Sequence, residues 1–592
     1  MNKLKPLPEE WSGLLNNEQK EAIENINGPL LIIAGAGSGK TRVLTYRYAH
    51  LIKTYGINFE NVLAITFTNK AANEMKDRIS DLLNLELSPK WISTFHSLCV
   101  KMLRIHGHLI GFNNNFTIYD QSDSTKLVRN CMRDSDIDTK QYSPKRIQAH
   151  ISSLKNQRIL PGEAVEFAQS FFDVKVAEIY SSYQKKLMLA NSMDFDDLLI
   201  KAVELLETSD KSLNYWSSKF QYIMIDEYQD TNMVQYRLVE LLASKHKNIC
   251  VVGDSDQSIY AFRGADIRNI EEFESDFKNA KVISLEKNYR SSQKILDIAN
   301  AVISNNPRKK DKKLWTDNDE GLDVNLVEFN SERDESKWIA EQINKLLEDK
   351  AFTEIAIFYR TNNQSRLFEE ELRKLSLSYK VVGNVRFYDR KEIKDILAYL
   401  NYLINPEDTV SFERILNVPK RGIGESTLQK LRDYANKNEI SLSKSIENLD
   451  EINNLSDRVK KQINNFKEII NDLKSFALQG PSETISKTLE LTGYKDELVK
   501  EGTLDSQMRL ENLDELLTSA FEFENLYEED IEDPFTVLRD YLESIALFTD
   551  SDDVDKEDRI LLMTLHNAKG LEFPVVFMTG MEENIFPSQR SE

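Results

Sequence analysis

Three short stretches have the residue types and spacing to handle a phosphoanhydride. The first is Ala34-Gly35-Ala36-Gly37-Ser38-Gly39-Lys40-Thr41. Its glycines let backbone N–H groups close around an anion, Lys40 reaches β- and γ-phosphates, and the Thr41 hydroxyl is a ligand for Mg2+. Ala34 stands where a glycine is commoner, and a small residue suffices there. The second stretch is Asp226-Glu227. Asp226 is suited to hold Mg2+ and Glu227 to orient and deprotonate an attacking water. The third centres on Gln257, an amide able to sense a terminal phosphate. An Asp-Glu pair says little by itself; beside a Gly-Lys-Thr loop it predicts a nucleoside triphosphate site.

The elements that position these groups follow from apolar patterning. Leu30-Leu31-Ile32-Ile33 is a wholly apolar run of the kind that forms a buried parallel strand. The residues after Thr41 have helical spacing up to Gly56, so the phosphate loop meets a helix N-terminus and its partial positive charge. Val62–Phe67, Trp91–His96, Gln221–Ile225 and Ile249–Val252 predict further strands, with a helix from Ala71 to about Leu83. Two of these strands end in a hydroxyl, an aromatic and a polar residue. Those ends suit either ligand contacts at the carboxyl edge of a sheet or ordinary packing. Gln19, on a helix before the first strand, has an amide that matches an adenine edge, or is an exposed helix residue. Tyr260, Phe262 and Arg263 form an aromatic–cationic element that either stacks on unpaired bases or packs in the core.

With 592 residues the chain needs several domains. The three cysteines are far apart and lack metal-ligand spacing, pointing to a reducing compartment. No apolar run is long enough to span a bilayer, so the reading is a cytoplasmic enzyme with no membrane partner. A net charge of −21 counts against indiscriminate binding of polyanions over the whole surface, but not against a local basic or aromatic track.

The ordered set of motifs resembles the UvrD/PcrA/Rep group of superfamily 1 DNA helicases, with wording most similar to the PcrA form. It comprises Ala34–Thr41, Ile65–Ala72, Thr94–Ser97, Asp226–Asp230, Val252–Gly264, Leu285–Ser291, Tyr359–Asn362 and Thr564–Phe573, and it extends from Leu15 to the last residue. The resemblance implies an α/β fold of two RecA-like P-loop NTPase lobes, with ATP and Mg2+ in the cleft and single-stranded DNA across the upper face. It further implies that Gln19 and Arg42 flank the adenine, that Tyr289 stacks on it, that Gln257 senses the γ-phosphate, that Arg290 is an arginine finger and that Glu572 contacts the ribose. The implied DNA track comprises Phe67, His96, Phe195, Tyr260, Phe262, Arg263, Tyr359, Arg360, Asn362 and His566. Phe262 replaces the tryptophan usual in relatives, which leaves less surface for stacking.

The implied first lobe covers 1–112 and 190–286, with a helical insertion at 113–189. The second covers 287–380 and 552–592, with a helical, duplex-contacting insertion at 381–551. Within the second lobe, Val324–Val327 and Ile355–Tyr359 predict strands flanking a helix from about Glu332 to Leu347. Lys420, Arg421, Gly422 and Gly424 lie on a turn that either ends a helix or meets a phosphate. The aspartates of Met193–Leu198 suggest either a metal site or a capped, solvated helix start, Lys145, Arg146 and Lys155 read as a basic cluster, Arg308–Lys313 as a solvated loop or a phosphate contact, and Glu522–Asp533 and Asp550–Asp558 as acidic loops and hinges. Implied partners are single-stranded DNA, single–double-strand junctions and repair or transcription proteins. The function implied is a 3′–5′ DNA helicase; the alternative is an ATP-switched DNA-binding or protein-displacing module. The family's next arginine motif is not in this sequence. These 592 residues alone are therefore expected to bind ATP, hydrolyse it poorly and unwind little, and DNA-stimulated hydrolysis at the rates of longer relatives would refute that.

Overall fold

The computed structural model describes residues 5–85, 89–306, 312–383, 387–527, 533–548 and 558–587, with the Arg263 side chain left outside that description. The apolar runs become strands in chain order: β1 (Leu30–Ala34), β2 (Val62–Thr66), β3 (Ile92–Thr94), β4 (Thr117–Tyr119), β5 (Ser192–Asp194), β6 (Tyr222–Ile225), β7 (Ile249–Gly253), β8 (Lys281–Leu285), β9 (Ile355–Tyr359), β10 (Tyr379–Val381), β11 (Ile560–Thr564) and β12 (Val575–Met578). Six of them form one sheet in the order β3-β2-β6-β7-β1-β8, every pair parallel. Residues with no apolar–polar alternation serve here because both faces are covered. Leu31, Ile65, Ile225 and Val251 enter one hydrophobic core, while Leu30, Ile32, Ala64, Met224 and Val252 enter another.

Polar side chains set where the helices after these strands begin. Thr68 caps the helix Asn69–Leu83 by accepting from Ala71 N–H, and Thr94 caps the helix Phe95–His106 by accepting from Ser97 N–H. Each such cap contributes about 1 kcal/mol. The predicted strand Trp91–His96 is correspondingly shorter, because Thr94 turns the chain into a helix.

Strands β4 and β5 pair with each other and bracket the helices Gln121–Asp134, Pro144–Asn156 and Phe171–Leu189. Asp194 begins the helix Phe195–Thr208 with a capping box shared with Asp197. The helix start is capped but not solvated. Lys155, fully buried, reaches Asp194 at 2.7 Å and Asp197 at 2.8 Å, and Tyr183 donates to Asp194 at 2.8 Å. Lys155 is therefore no part of an exposed basic cluster, and Arg146 lies over the Phe172 ring at 4.6 Å.

The second sheet is β10-β11-β9-β12, also parallel. The expected strand Val324–Val327 does not form. Its residues take no regular secondary structure, and Leu322 and Leu326 are 91% and 96% exposed. The expected helix after it runs Glu332–Leu346. The described residues between 391 and 546 are mainly helical, including Lys391–Ile404, Asp457–Ala477 and Leu504–Asn525. Glu522 to Asn525 finish the last of these, so the acidic stretch is helix up to that point; 528–532 and 549–557 lie outside the described residues. This helical block is tied to the first insertion by buried polar contacts. Asn405 Nδ2 donates to Thr117 Oγ1, Ala190 O and Asn191 O at 2.9, 3.0 and 2.9 Å, and Tyr119 donates to Asp408 at 2.6 Å.

Replacing Lys155 with methionine strands two buried carboxylates, which costs about 3–5 kcal/mol. Urea unfolding of Lys155→Met is expected to show that loss. Adding Asp194→Asn and Asp197→Asn should recover a substantial part of it, because the stranded charges are then removed.

Candidate nucleotide site and its flanking aromatic surface

The carboxyl ends of β1, β6 and β7 converge on one place, and each adds its own functional group. After β1 the loop turns through two left-handed glycines, Gly37 at φ +64° and Gly39 at φ +86°, into the helix Lys40–Lys53. Ser38 closes the loop by donating from N and Oγ to Gly35 O at 3.3 and 2.8 Å. After β6, Glu227 adopts φ +51°, which separates its carboxylate from that of Asp226. Its backbone N–H donates to Asp226 Oδ1 at 2.9 Å, and Gln229 Nε2 donates to Glu227 at 2.6 Å.

Lys40 Nζ lies 3.2 Å from Glu227 and 3.3 Å from Gln257 Oε1, and Thr41 donates to Asp226 at 3.3 Å. Burial alone lowers the Lys40 pKa, but Glu227, Asp226 and Asp254 outweigh it and hold the ammonium above its ordinary value. Burial, with the charge of Glu227 second, pushes Asp226 up to about 6 against the opposing pull of Lys40. Burial also raises Glu227, yet Lys40, Lys569 and the bond from Gln229 together keep it below the usual carboxylate range. Of the two neighbours, Glu227 holds its negative charge more firmly.

The segment leading to the second sheet packs against this loop. Tyr289 N–H donates to Gly37 O at 2.9 Å, and Asn288 Nδ2 donates to Ala36 O at 2.7 Å. A Cβ on Gly37 would stand 2.8 Å from Arg290 Cβ, so Arg290 is at the loop, where its guanidinium pairs with Glu572. The Tyr289 hydroxyl accepts from Asn16, and buried Gln19 donates to Ser38 O at 3.1 Å. Arg42 lies over the Tyr46 ring at 5.9 Å. The two sequence-distant halves of the expected site are thus in one place.

A second cluster lies just beyond Gln257. Phe67 stacks on Tyr260 at 5.0 Å, Phe262 meets the His566 ring edge to face at 5.1 Å, and Tyr260 donates to His566 O at 3.1 Å. Arg360 Nη1 is 3.4 Å from His566 Nδ1. Phe262 is 67% exposed, the most open ring of the group. His96 and Phe195 form a separate edge-to-face pair at 5.8 Å, and burial pushes His96 down to about 4, leaving it neutral. Asn362 donates to Gly383 O at 2.8 Å.

Two expected surface residues are elsewhere. Tyr359 is fully buried in the core of the second sheet, because β9 is one of its two inner strands and the ring enters that core. Arg421 turns in as well: its guanidinium donates to Ile415 O at 2.8 Å, Val418 O at 3.0 Å and the Tyr399 hydroxyl at 2.6 Å. Lys420 and Gly424 remain exposed, Gly422 turns the chain at φ +75°, and Gly424 precedes the helix Glu425–Asn438. Sequence reading missed two cations. Lys569 contacts Asp230 and donates to Gln257 O at 2.6 Å, and Lys312 contacts Asp254 and Asp256. Lys569 sits in the Thr564–Phe573 motif and was within reach of it; Lys312 belongs to the basic run Arg308–Lys313, of which 308–311 lie outside the described residues, and its partners Asp254 and Asp256 left no mark in that run.

Comparison with known proteins agrees with this arrangement. The family described as UvrD/REP helicase N-terminal domain matches residues 15–278, and the UvrD-like helicase C-terminal domain matches 283–592. The chain belongs to the UvrD/REP helicase family. It is 46% identical over 579 residues to the ATP-dependent DNA helicase PcrA of Staphylococcus aureus, and equally so to that of Staphylococcus epidermidis. In both cases the match covers 98% of this chain and 79% of the relative.

A methyl at Gly37 would meet Asn288 Nδ2 at 2.5 Å and require a left-handed backbone. Gly37→Ala is expected to weaken nucleotide binding by about tenfold or more, read by titration with a fluorescent nucleotide, with little change in thermal stability.

Proposed function

We infer that the chain is an ATP-dependent DNA helicase or translocase, working 3′ to 5′ on single strands and at single–double-strand junctions in DNA repair or replication. The observation that supports this best is the seating of Tyr289 and Arg290 against the Gly37 loop. One nucleotide there would touch groups from both halves of the chain, so that its binding and loss would move them relative to each other.

In this reading Lys40 exchanges Glu227 and Gln257 for the β- and γ-phosphates. Glu227, still held by Gln229, takes the proton of the attacking water. Thr41 and Asp226, whose oxygens are 3.3 Å apart, are hard donors of the kind Mg2+ requires. That ion, when bound, would neutralise charge on the phosphates. Arg290 leaves Glu572 for the transferring phosphoryl group, and Glu572 turns to the ribose. Gln19, Arg42 and Tyr289 hold the base. Bases of a single strand stack on the Phe67–Tyr260–Phe262–His566 group, with Arg263 and Arg360 beside it and His96, Phe195 and Asn362 further along. The motor lobes are 1–112 with 190–286 and 287–380 with 552–592. The insertion at 381–551 meets duplex through Lys420 and the exposed backbone of Gly422 and Gly424. The comparisons do not favour the ATP-switched module without unwinding.

Glu227→Gln is expected to keep ATP affinity within about threefold and lower turnover by about a hundredfold or more. Turnover at the parent rate would remove Glu227 as the base. Duplexes with a 3′ tail should be unwound in preference to those with a 5′ tail, and the opposite preference would overturn the polarity.

A further inference from the structure

Lys312 comes from the segment 286–323, far in sequence from the strands that build the nucleotide site, yet its side chain is 8% exposed and ends among that site's carboxylates. Its Nζ contacts Asp254 Oδ1 and lies 3.2 Å from Asp256. The position is fixed from behind. Leu314, two residues on, exchanges backbone bonds with the Asn300 side chain at 2.9 and 3.2 Å, and its Cδ2 is 2.2 Å from where a Cβ on Gly35 would be. Trp315 O accepts from Asn288 N–H at 2.8 Å. The segment that delivers Tyr289 and Arg290 to the phosphate loop is thus the one that delivers Lys312 to the end of β7.

The two oxygens of Asp254 do different things. Oδ1 faces Lys312 and accepts from Asp256 N–H at 3.1 Å, while Oδ2 accepts from Gln257 Nε2 at 2.6 Å. With its amide nitrogen held there, Gln257 presents Oε1 to Lys40. One consequence follows from charge and geometry. Lys312 fixes the carboxylate that orients the Gln257 amide.

We propose that Lys312 is a positioning residue for the terminal phosphate: by holding Asp254 it sets the Gln257 amide, tying triphosphate recognition in the first sheet to the segment that carries Arg290. This rests on the reading of Gln257 as the γ-phosphate sensor. The phosphate-proximal charge is what distinguishes ATP from ADP, so the effect belongs to triphosphate binding and not to nucleotide binding in general.

The test is displacement of a fluorescent nucleotide by ADP and by a non-hydrolysable ATP analogue, on the full chain with Mg2+ present. Lys312→Met is expected to lower the preference for the triphosphate by about tenfold while ADP affinity stays within about twofold. Lys312→Arg should restore the preference to within about threefold. On a Gln257→Ala background, Lys312→Met should add less than about twofold, because both act through one amide. Parallel loss of ADP and triphosphate affinity, an unchanged preference in Lys312→Met, or a full effect on the Gln257→Ala background each overturns the proposal. An unchanged preference in Gln257→Ala alone overturns the sensor reading instead, and the Lys312 proposal with it.

Discussion

The arrangement depends on a charge balance at the carboxyl edge of the first sheet. Asp226, Glu227, Asp230 and Asp254 all emerge there, and three of the four are buried. The first half of the chain supplies one ammonium to them, Lys40. Lys312 and Lys569 come from the second half and neutralise Asp254 and Asp230. Separating the halves would leave carboxylates in a low-dielectric pocket without counter-charge, which is costly. The ions that join the halves, Lys312 with Asp254 and Lys569 with Asp230, lie beside the Lys40–Glu227 pair. In the proposed function a nucleotide's phosphates would compete for Lys40 and Arg290 and so act on the distance between the two sheets.

The loop from Gly253 to Gly264 carries that competition to the aromatic surface over a short path. Gln257 is at the phosphate end, and Tyr260 is three residues later, with Phe67 stacked on its ring and His566 accepting from its hydroxyl. Lys569 touches both ends, donating to Gln257 O and lying 5.2 Å from the Tyr260 ring. A shift of Gln257 toward a phosphate has little slack to absorb it before the rings move. Distance alone does not make a coupling, but these residues are one continuous chain of hydrogen bonds and stacked rings.

How much of this was legible in the sequence depended on whether the cause was local. The Gly37–Thr41 turn, the Asp226-Glu227 strand end and the apolar strands were readable because glycine φ freedom, adjacent carboxylates and two-sided burial leave marks within a few residues. The Asp194 cap was readable for the same reason. Its burial was not, because the matching cation, Lys155, is on a helix 39 positions away. Tyr359 looked like a surface aromatic until β11 and β12 flanked its strand. Arg421 looked like a phosphate ligand until three carbonyls of its own turn and the Tyr399 hydroxyl took up its donors. Lys312, in a basic run that reads as a solvated loop or a phosphate contact, gave no local sign of its partners Asp254 and Asp256. In each case the missing information was the identity of a distant partner.

Among the described residues, strand β12 pairs with β9 on one side, and along it Val576 and Met578 are about half exposed. In the same half of the chain, Leu322 and Leu326 extend into solvent, and the helix Gln293–Ile303 shows Ile295, Ile298 and Val302 on one outward stripe. Backbone left unpaired along a strand edge is a template for an extended peptide. An added strand would find its hydrogen-bond partners along β12.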